Sequence, residues 1–250
     1  MTKFLLRTFL ILTVLGSVSS VWAAKAPVAP LVAPQIATVE IINLPSENRR
    51  MVLKDGQGER LYPEFQAVAF NESQPMSLRW RAIMAMAETK KDKSIPDLLR
   101  ASRHDTWFMR NAALVAMSEV HPAEAEILAK KLLKDKALVV RSAAVEALRK
   151  QSGPEIRDLL WEELNQSYNF KNKQSLWIRP QIVEVLAAKP LNHELTMFTA
   201  LLSDKDEKIQ VPAVRGLEKL TGVKLGEGKM KQSALVSLWK NYIKKENIQL

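Results

Sequence analysis

Five stretches of this chain align one above another without a gap. They are LRWRAIMAM (Leu78–Met86), MRNAALVAM (Met109–Met117), VRSAAVEAL (Val140–Leu148), IRPQIVEVL (Ile178–Leu186) and IQVPAVRGL (Ile209–Leu217). The second place holds Arg79, Arg110, Arg141, Arg179 and finally Gln210, at steps of 31, 31, 38 and 31 residues. An apolar residue precedes it. Three places on stands Ala82, Ala113, Ala144, Ile182 or Ala213, and seven places on Met86, Met117, Leu148, Leu186 or Leu217. Steps of three to four keep these positions on one helical face. Small side chains at the middle place let neighbouring helices approach closely, and the large ones fill the next layer. A fixed period sustained over five units means a stack in which each unit buries its apolar face only against its neighbours.

The unit is a helix pair. The spacing predicts first helices over 76–89, 106–119, 137–151, 175–188 and 206–220, and second helices over 94–102, 122–134, 154–166 and 191–202. Pro96, Pro122, Pro154 and Pro190 fall near the starts of the second helices, where a fixed φ suits the first turn and the missing N–H costs little. The second helices carry their own apolar sets, such as Ile127, Leu128 and Leu132, or Leu195, Phe198 and Leu202. The 38-residue step comes from an insertion, NQSYNFKNKQ (Asn165–Gln174), which reads as a polar and aromatic loop. EFQAVAFNES, just after Pro63, reads as the second half of an incomplete repeat closing one end of the stack. A Thr221-Gly222 stop and a helix over 233–244, with Leu235, Leu238, Trp239 and Tyr242 inward, close the other. The fold class is therefore all-α: an α-solenoid of about five helix pairs over 62–221 and a C-terminal cap over 222–250.

The register, with an arginine among small and apolar residues and an aspartate in the turn before it, resembles the HEAT-repeat family. The likeness is greatest to its short bacterial form, the PBS-lyase HEAT-like repeats. Asp105 precedes Arg110, Asp135 precedes Arg141 and Asp204 precedes Gln210; the fourth unit has Lys173 at the acid's place, and the fifth lacks the arginine. The resemblance covers roughly residues 63–221; it implies the solenoid fold and does not choose an activity. The tail, with its Thr-Gly turn and tryptophan-bearing helix, is similar to segments that follow bacterial HEAT repeats. Some HEAT-like proteins are chromophore lyases or nucleic-acid glycosylases, so a lyase-type enzyme is one alternative that the resemblance brings.

The first 23 residues read as an export signal. Lys3 and Arg7 precede an apolar run centred on Phe9–Leu15, and Val21 and Ala23 set small residues for cleavage before Ala24. The competing reading is a retained membrane anchor, for which the apolar run is short. The expected location is periplasmic or secreted, with no integral membrane segment once the signal is removed. AKAPVAPLVAPQ (Ala24–Gln35) follows as a proline-rich tether, ATVEIINL (Ala37–Leu44) has the composition of a short strand, and SENRRMVLKDGQGE reads as a polar connection turning at Asp55-Gly56. Residues 24–61 thus form an extension ahead of the solenoid.

Chemistry-bearing groups are sparse. The chain has no cysteine, so thiolate catalysis, disulfides and cysteine metal ligation are excluded. His104, His121 and His193 lie far apart near helix junctions and read as polar surface residues. No nucleophile arrangement or phosphate loop is present. The reading assigns no catalytic, cofactor-binding or metal-binding residue, and no cofactor. Lys and Arg outnumber Asp and Glu by 37 to 27, and removal of residues 1–23 with their two basic residues leaves 35 against 27, or +8. That balance favours an acidic partner.

Two sets of residues are candidates for binding one. Arg79, Arg110, Arg141 and Arg179 form a ladder that would grip an acidic strand if all four guanidinium groups reached solvent; the competing reading pairs each with the aspartate before it or with turn carbonyls of the adjacent unit. Trp161, Tyr168, Phe170, Lys171, Lys173 and Trp177, in or beside the insertion, would form a protein-binding edge. The expected partner is an acidic protein or peptide. A basic solenoid face binding nucleic acid is the other alternative, weakened by the export signal and by tryptophans that share no repeat position for stacking bases.

Overall fold

A computed structural model of the chain describes residues 36–246 except 55, 152 and 227–229, all within one compact unit. Residues 1–23, which read as an export signal, and the whole tether, 24–35, lie outside the described residues. Helices dominate. Ahead of the repeats come α1 (Ile36–Asn43), α2 (Ser46–Val52) and α3 (Gln57–Phe70). The pairs follow as α4 (Met76–Lys90) with α5 (Ile95–Ala101), α6 (Trp107–Val120) with α7 (Pro122–Leu132), α8 (Leu138–Arg149) with α9 (Pro154–Leu164), and α10 (Ile178–Ala188) with α11 (Leu195–Leu201). Then come α12 (Glu207–Thr221) and the terminal α13 (Gln232–Lys245).

The first helices α4, α6, α8, α10 and α12 pack side by side in one layer. Second helices line the other side: α7 packs on both α6 and α8, and α11 on α12. The repeat register is the core. Ala82, Ala113, Ala144, Ile182 and Ala213 are fully buried, as are Met117, Leu148, Leu186 and Leu217. In the second helices Leu98, Leu128, Leu160 and Phe198 point inward, but Ile127 is 59% exposed and leaves the core to Leu128 and Ala129.

The two ends depart from the sequence reading. ATVEIINL is helical, not a strand: α1 packs on α3 and α4, with Ile42 fully buried and the Thr38 hydroxyl bonded to Glu64. Tertiary burial of one face overrides the strand propensity of its branched residues. α1 thereby takes the place of a first helix beside α3, so the closing unit starts well before Pro63. The polar connection is also partly helical. In α2, Arg49 is buried and donates through Nε (2.6 Å) and Nη2 to Glu88, and to the carbonyls of Ile42 and Leu44. Its turn does fall at Gly56, at φ +82°.

At the other end Gly222 stops α12 in the left-handed conformation, φ +71°, as a C-terminal glycine does. The capping face of α13 is Val236, Trp239 and Ile243 with Leu235 and Tyr242 against its edge, whereas Leu238 is exposed. One residue of rotation on the helix separates the observed face from the expected one.

Candidate functional site

The four ladder arginines are only 3–6% exposed. They do not form a binding surface, because their donors are spent inside the stack. Arg110 shows the arrangement most fully. Its Nη1 donates to the carbonyls of His104 and Asp105 in the turn before it, at 2.9 and 2.7 Å, while Nε and Nη2 form a two-pronged pair with Asp135, at 2.6 and 2.7 Å. Asp135 belongs to the turn of the next repeat. The guanidinium therefore clamps its own turn through carbonyls and the following turn through a carboxylate, the reverse of the assignment drawn from sequence.

The same frame recurs with different acceptors. Arg179 donates to Asp204 of the following turn at 2.7 Å and to the Leu164 carbonyl and Asn165 side chain. Arg141 reaches the Asp135 carbonyl with Nη1, then Asn169 Oδ1 at 3.1 Å and the Tyr168 carbonyl at 2.9 Å. Here the insertion supplies the acceptors, with buried Asn169 in the aspartate's role and the Tyr168 ring 5.3 Å from the guanidinium. Arg79 donates to the Ala69 carbonyl and meets His104 and the Phe108 ring across the next turn. Gln210 keeps only the bond to its own turn, Nε2 to the Asp204 carbonyl at 2.8 Å. Among the described residues it is followed by the lone helix α13 and not by another repeat turn, so its side chain has no following turn to bond.

Burial and these bonds set the charges. Hydrogen bonds donated to Asp135 raise the Arg110 pKa despite its burial. Burial acts to raise the pKa of Asp135, but the bonds from Arg110 and the Ala137 N–H, with the arginine's charge, hold it below the ordinary carboxylate range. Arg141, buried without a direct carboxylate partner, is lowered by desolvation. Glu163, one of the carboxylates whose charge acts on it, accepts from the Tyr168 hydroxyl and lies 3.8 Å from Lys134. Burial and the bond to Glu163 raise the Tyr168 phenol.

Another buried arginine, Arg157, lies on a second helix, outside the repeat register. Arg157 makes a two-pronged pair with fully buried Glu194 and donates to the Leu186 carbonyl at 2.8 Å. Glu194 also accepts from the Leu191 N–H and from Trp161 Nε1 at 2.9 Å. Trp161 stacks edge-on to Phe198 at 5.1 Å, so it belongs to this packing and not to a binding edge. Among the histidines, His121 is buried at the α6–α7 junction with Nδ1 3.3 Å from Asp92, contrary to the surface role expected of it.

What remains of the insertion does build a site. Phe170–Lys171 and Gln174–Ser175 pair as a two-residue antiparallel hairpin, β1 and β2, turned by Asn172 and Lys173 at φ +51° and +65°. Two consecutive positive φ values give the tight turn whose twist suits a hairpin. The hairpin, the start of α10 and the turn before α12 enclose an open cleft of about 830 Å³. Arg179 and Asp204 form its floor, with Phe170 set 4.4 Å from the guanidinium. Trp177, 51% exposed, stands in its wall, and Lys173, Lys205 and Lys208 line it, all exposed. Asp206 caps α12 through the Lys208 N–H. With Arg179 neutralised by Asp204, three lysines face one aspartate. Of the expected edge, the cleft gathers Phe170, Lys173 and Trp177; Tyr168 is turned onto Arg141, and Lys171 is exposed on β1 outside the lining.

Among the described residues no cluster of histidine and carboxylates could hold a metal, and no helix is long and apolar enough to cross a membrane.

No curated protein sequence matches the chain. A solved structure of an engineered protein is similar over 74% of this chain and 97% of its own, with 13% identity and a TM-score of 0.43. Residues 66–149 match a family model described as HEAT repeats. That span runs from within α3 to the last residue of α8, and the register found there continues through α10 and α12. Residues 66–149 therefore carry HEAT repeats, and the described residues fold as an all-α solenoid.

Proposed function

We propose that the protein is an exported HEAT-repeat scaffold that holds an acidic segment of another envelope or secreted protein and has no catalytic activity of its own. The observation that carries this reading is the exposed Trp177 indole standing among Lys173, Lys205 and Lys208 over a floor of neutralised charge. A tryptophan offers a large apolar contact at little entropic cost, and surrounding lysines draw an acidic partner and fix its approach. The export signal read in residues 1–23 supports a partner in the cell envelope or outside it, and the scarcity of nucleophiles and clustered acids supports binding over catalysis.

The experiment is recovery of partners from envelope extract by the wild type, by Trp177→Ala and by Lys205→Glu/Lys208→Glu, with circular dichroism confirming that all three fold. Both variants should lose the partner that the wild type enriches, and retention by both would reject the cleft. Charge reversal at Arg110 or Arg141 is not a test of binding, since it breaks the stack. Salt-sensitive capture of unrelated DNA by the wild type would favour the nucleic-acid reading instead.

A further inference from the structure

Arg110, Arg141 and Arg179, at the starts of first helices, each bond the turn before the next one, so the N-terminal ends of the first helices lie along one rim of the layer. An apolar side chain is exposed there in four consecutive repeats: Met76, Trp107, Val139 and Trp177, each 40–51% exposed. Met76 and Trp107 sit three places, and Val139 and Trp177 two places, before the ladder arginine, so the row lies at the start of each first helix without sharing one repeat position. An exposed apolar residue at the start of each first helix, ending at the cleft, is a surface with a direction.

The turns along this rim are unevenly charged. Arg103, Lys136, Lys173, Lys205 and Lys208 are exposed beside it; Glu72, 3.8 Å from His104, and Asp105 lie towards the first repeats, and Asp206 and Glu207 at the last. Asp135 and Asp204 are committed to Arg110 and Arg179. Lys171, Lys173, Lys205 and Lys208 outnumber Asp206 and Glu207 at the cleft end, whereas Asp105 matches Arg103 further back.

We propose that the partner segment is an acidic amphipathic α-helix laid along this rim, its apolar residues about seven apart and its acidic end over the last two repeats. The proposal rests on the cleft reading and extends it from one site to a track. Packed helices lie about 8–10 Å apart, so the four rim residues repeat at about that distance. Seven residues of helix advance about 10.5 Å, so one apolar side chain per heptad meets one repeat. An extended chain would also match the spacing, but it would press unpaired backbone groups onto apolar side chains, whereas a helix satisfies its own. Three steps need a helix of about 22 residues.

The test uses a synthetic acidic helical peptide of about that length with leucine at every seventh place, and a control of equal composition with the leucines five apart. Binding to the full chain is followed by titration calorimetry. The heptad peptide is expected to bind at least tenfold more tightly than the control, and Trp107→Ala, Val139→Ser and Trp177→Ala each to weaken it about fivefold or more. Equal binding of the two peptides, or insensitivity to both Trp107→Ala and Val139→Ser, overturns the track. Sensitivity to Trp177→Ala alone leaves the cleft and removes the track; insensitivity to Trp177→Ala and Lys205→Glu/Lys208→Glu removes the cleft. Stronger binding to vesicles containing about one-third phosphatidylglycerol, lost on Trp107→Ala, would replace the peptide with a lipid surface and overturn the proposal.

Discussion

Arg141 shows how one side chain's role depends on what the next repeat offers. Its neighbours Arg110 and Arg179 reach an aspartate in the following turn, but the insertion places Asn169 and the Tyr168 carbonyl there instead. The arginine positions were legible in sequence because the register is strict. Their direction was not, since the acceptor lies 25 to 28 residues away and depends on how turns stack. Asp135 and Glu194 have folded pKa values below the ordinary 3.8 and 4.5, so the native state binds their protons less readily than the unfolded chain. Their stabilisation is complete above those ordinary values and is lost as the pH falls through the depressed ones. Urea midpoints should therefore be steady near neutrality and fall steeply below about pH 4.5. A midpoint unchanged between about pH 5 and 3 would show that these pairs contribute nothing.

At the scale of elements, the helices with period and proline marks were read closely, and the misreadings fall where neighbours decide. α1 has strand composition and becomes a helix because α3 and α4 offer it a groove. The insertion was read as a loop, yet it folds into a hairpin whose turn needs φ > 0 at Asn172 and Lys173, with no glycine to announce it. Ile127 and Leu238 were placed inward by spacing alone and face solvent. Gly216 has a packing reason that sequence could not reveal. A Cβ there would lie 2.7–2.8 Å from two carbons of the Phe198 ring, which is fully buried and backed by Trp161. Overpacking of this kind costs about 1–3 kcal/mol, partly offset by alanine's better helix propensity of about 1 kcal/mol. Gly216→Ala should lower Tm by a few degrees in a calorimetric scan, and an increase would show that the ring has room to retreat.

Across the whole molecule, two sets of basic groups do different work. The buried guanidiniums join consecutive turns, and the lysines of the cleft stay in solvent beside Trp177. A partner that weakens with salt and with Trp177→Ala, but leaves the ladder untouched, fits this division. The division itself rests on the clamp between repeats. Its most direct test is a double-mutant cycle in the full chain, with Arg110→Ala, Asp135→Ala and the double variant compared by urea unfolding. Breaking a buried pair by removing one member costs about 3–5 kcal/mol, so each single variant should lose about that much. The double variant should lose clearly less than their sum, leaving a coupling of about 2 kcal/mol or more. A coupling below about 0.5 kcal/mol, the value of an exposed ion pair, would contradict the account of the ladder as the bond between repeats.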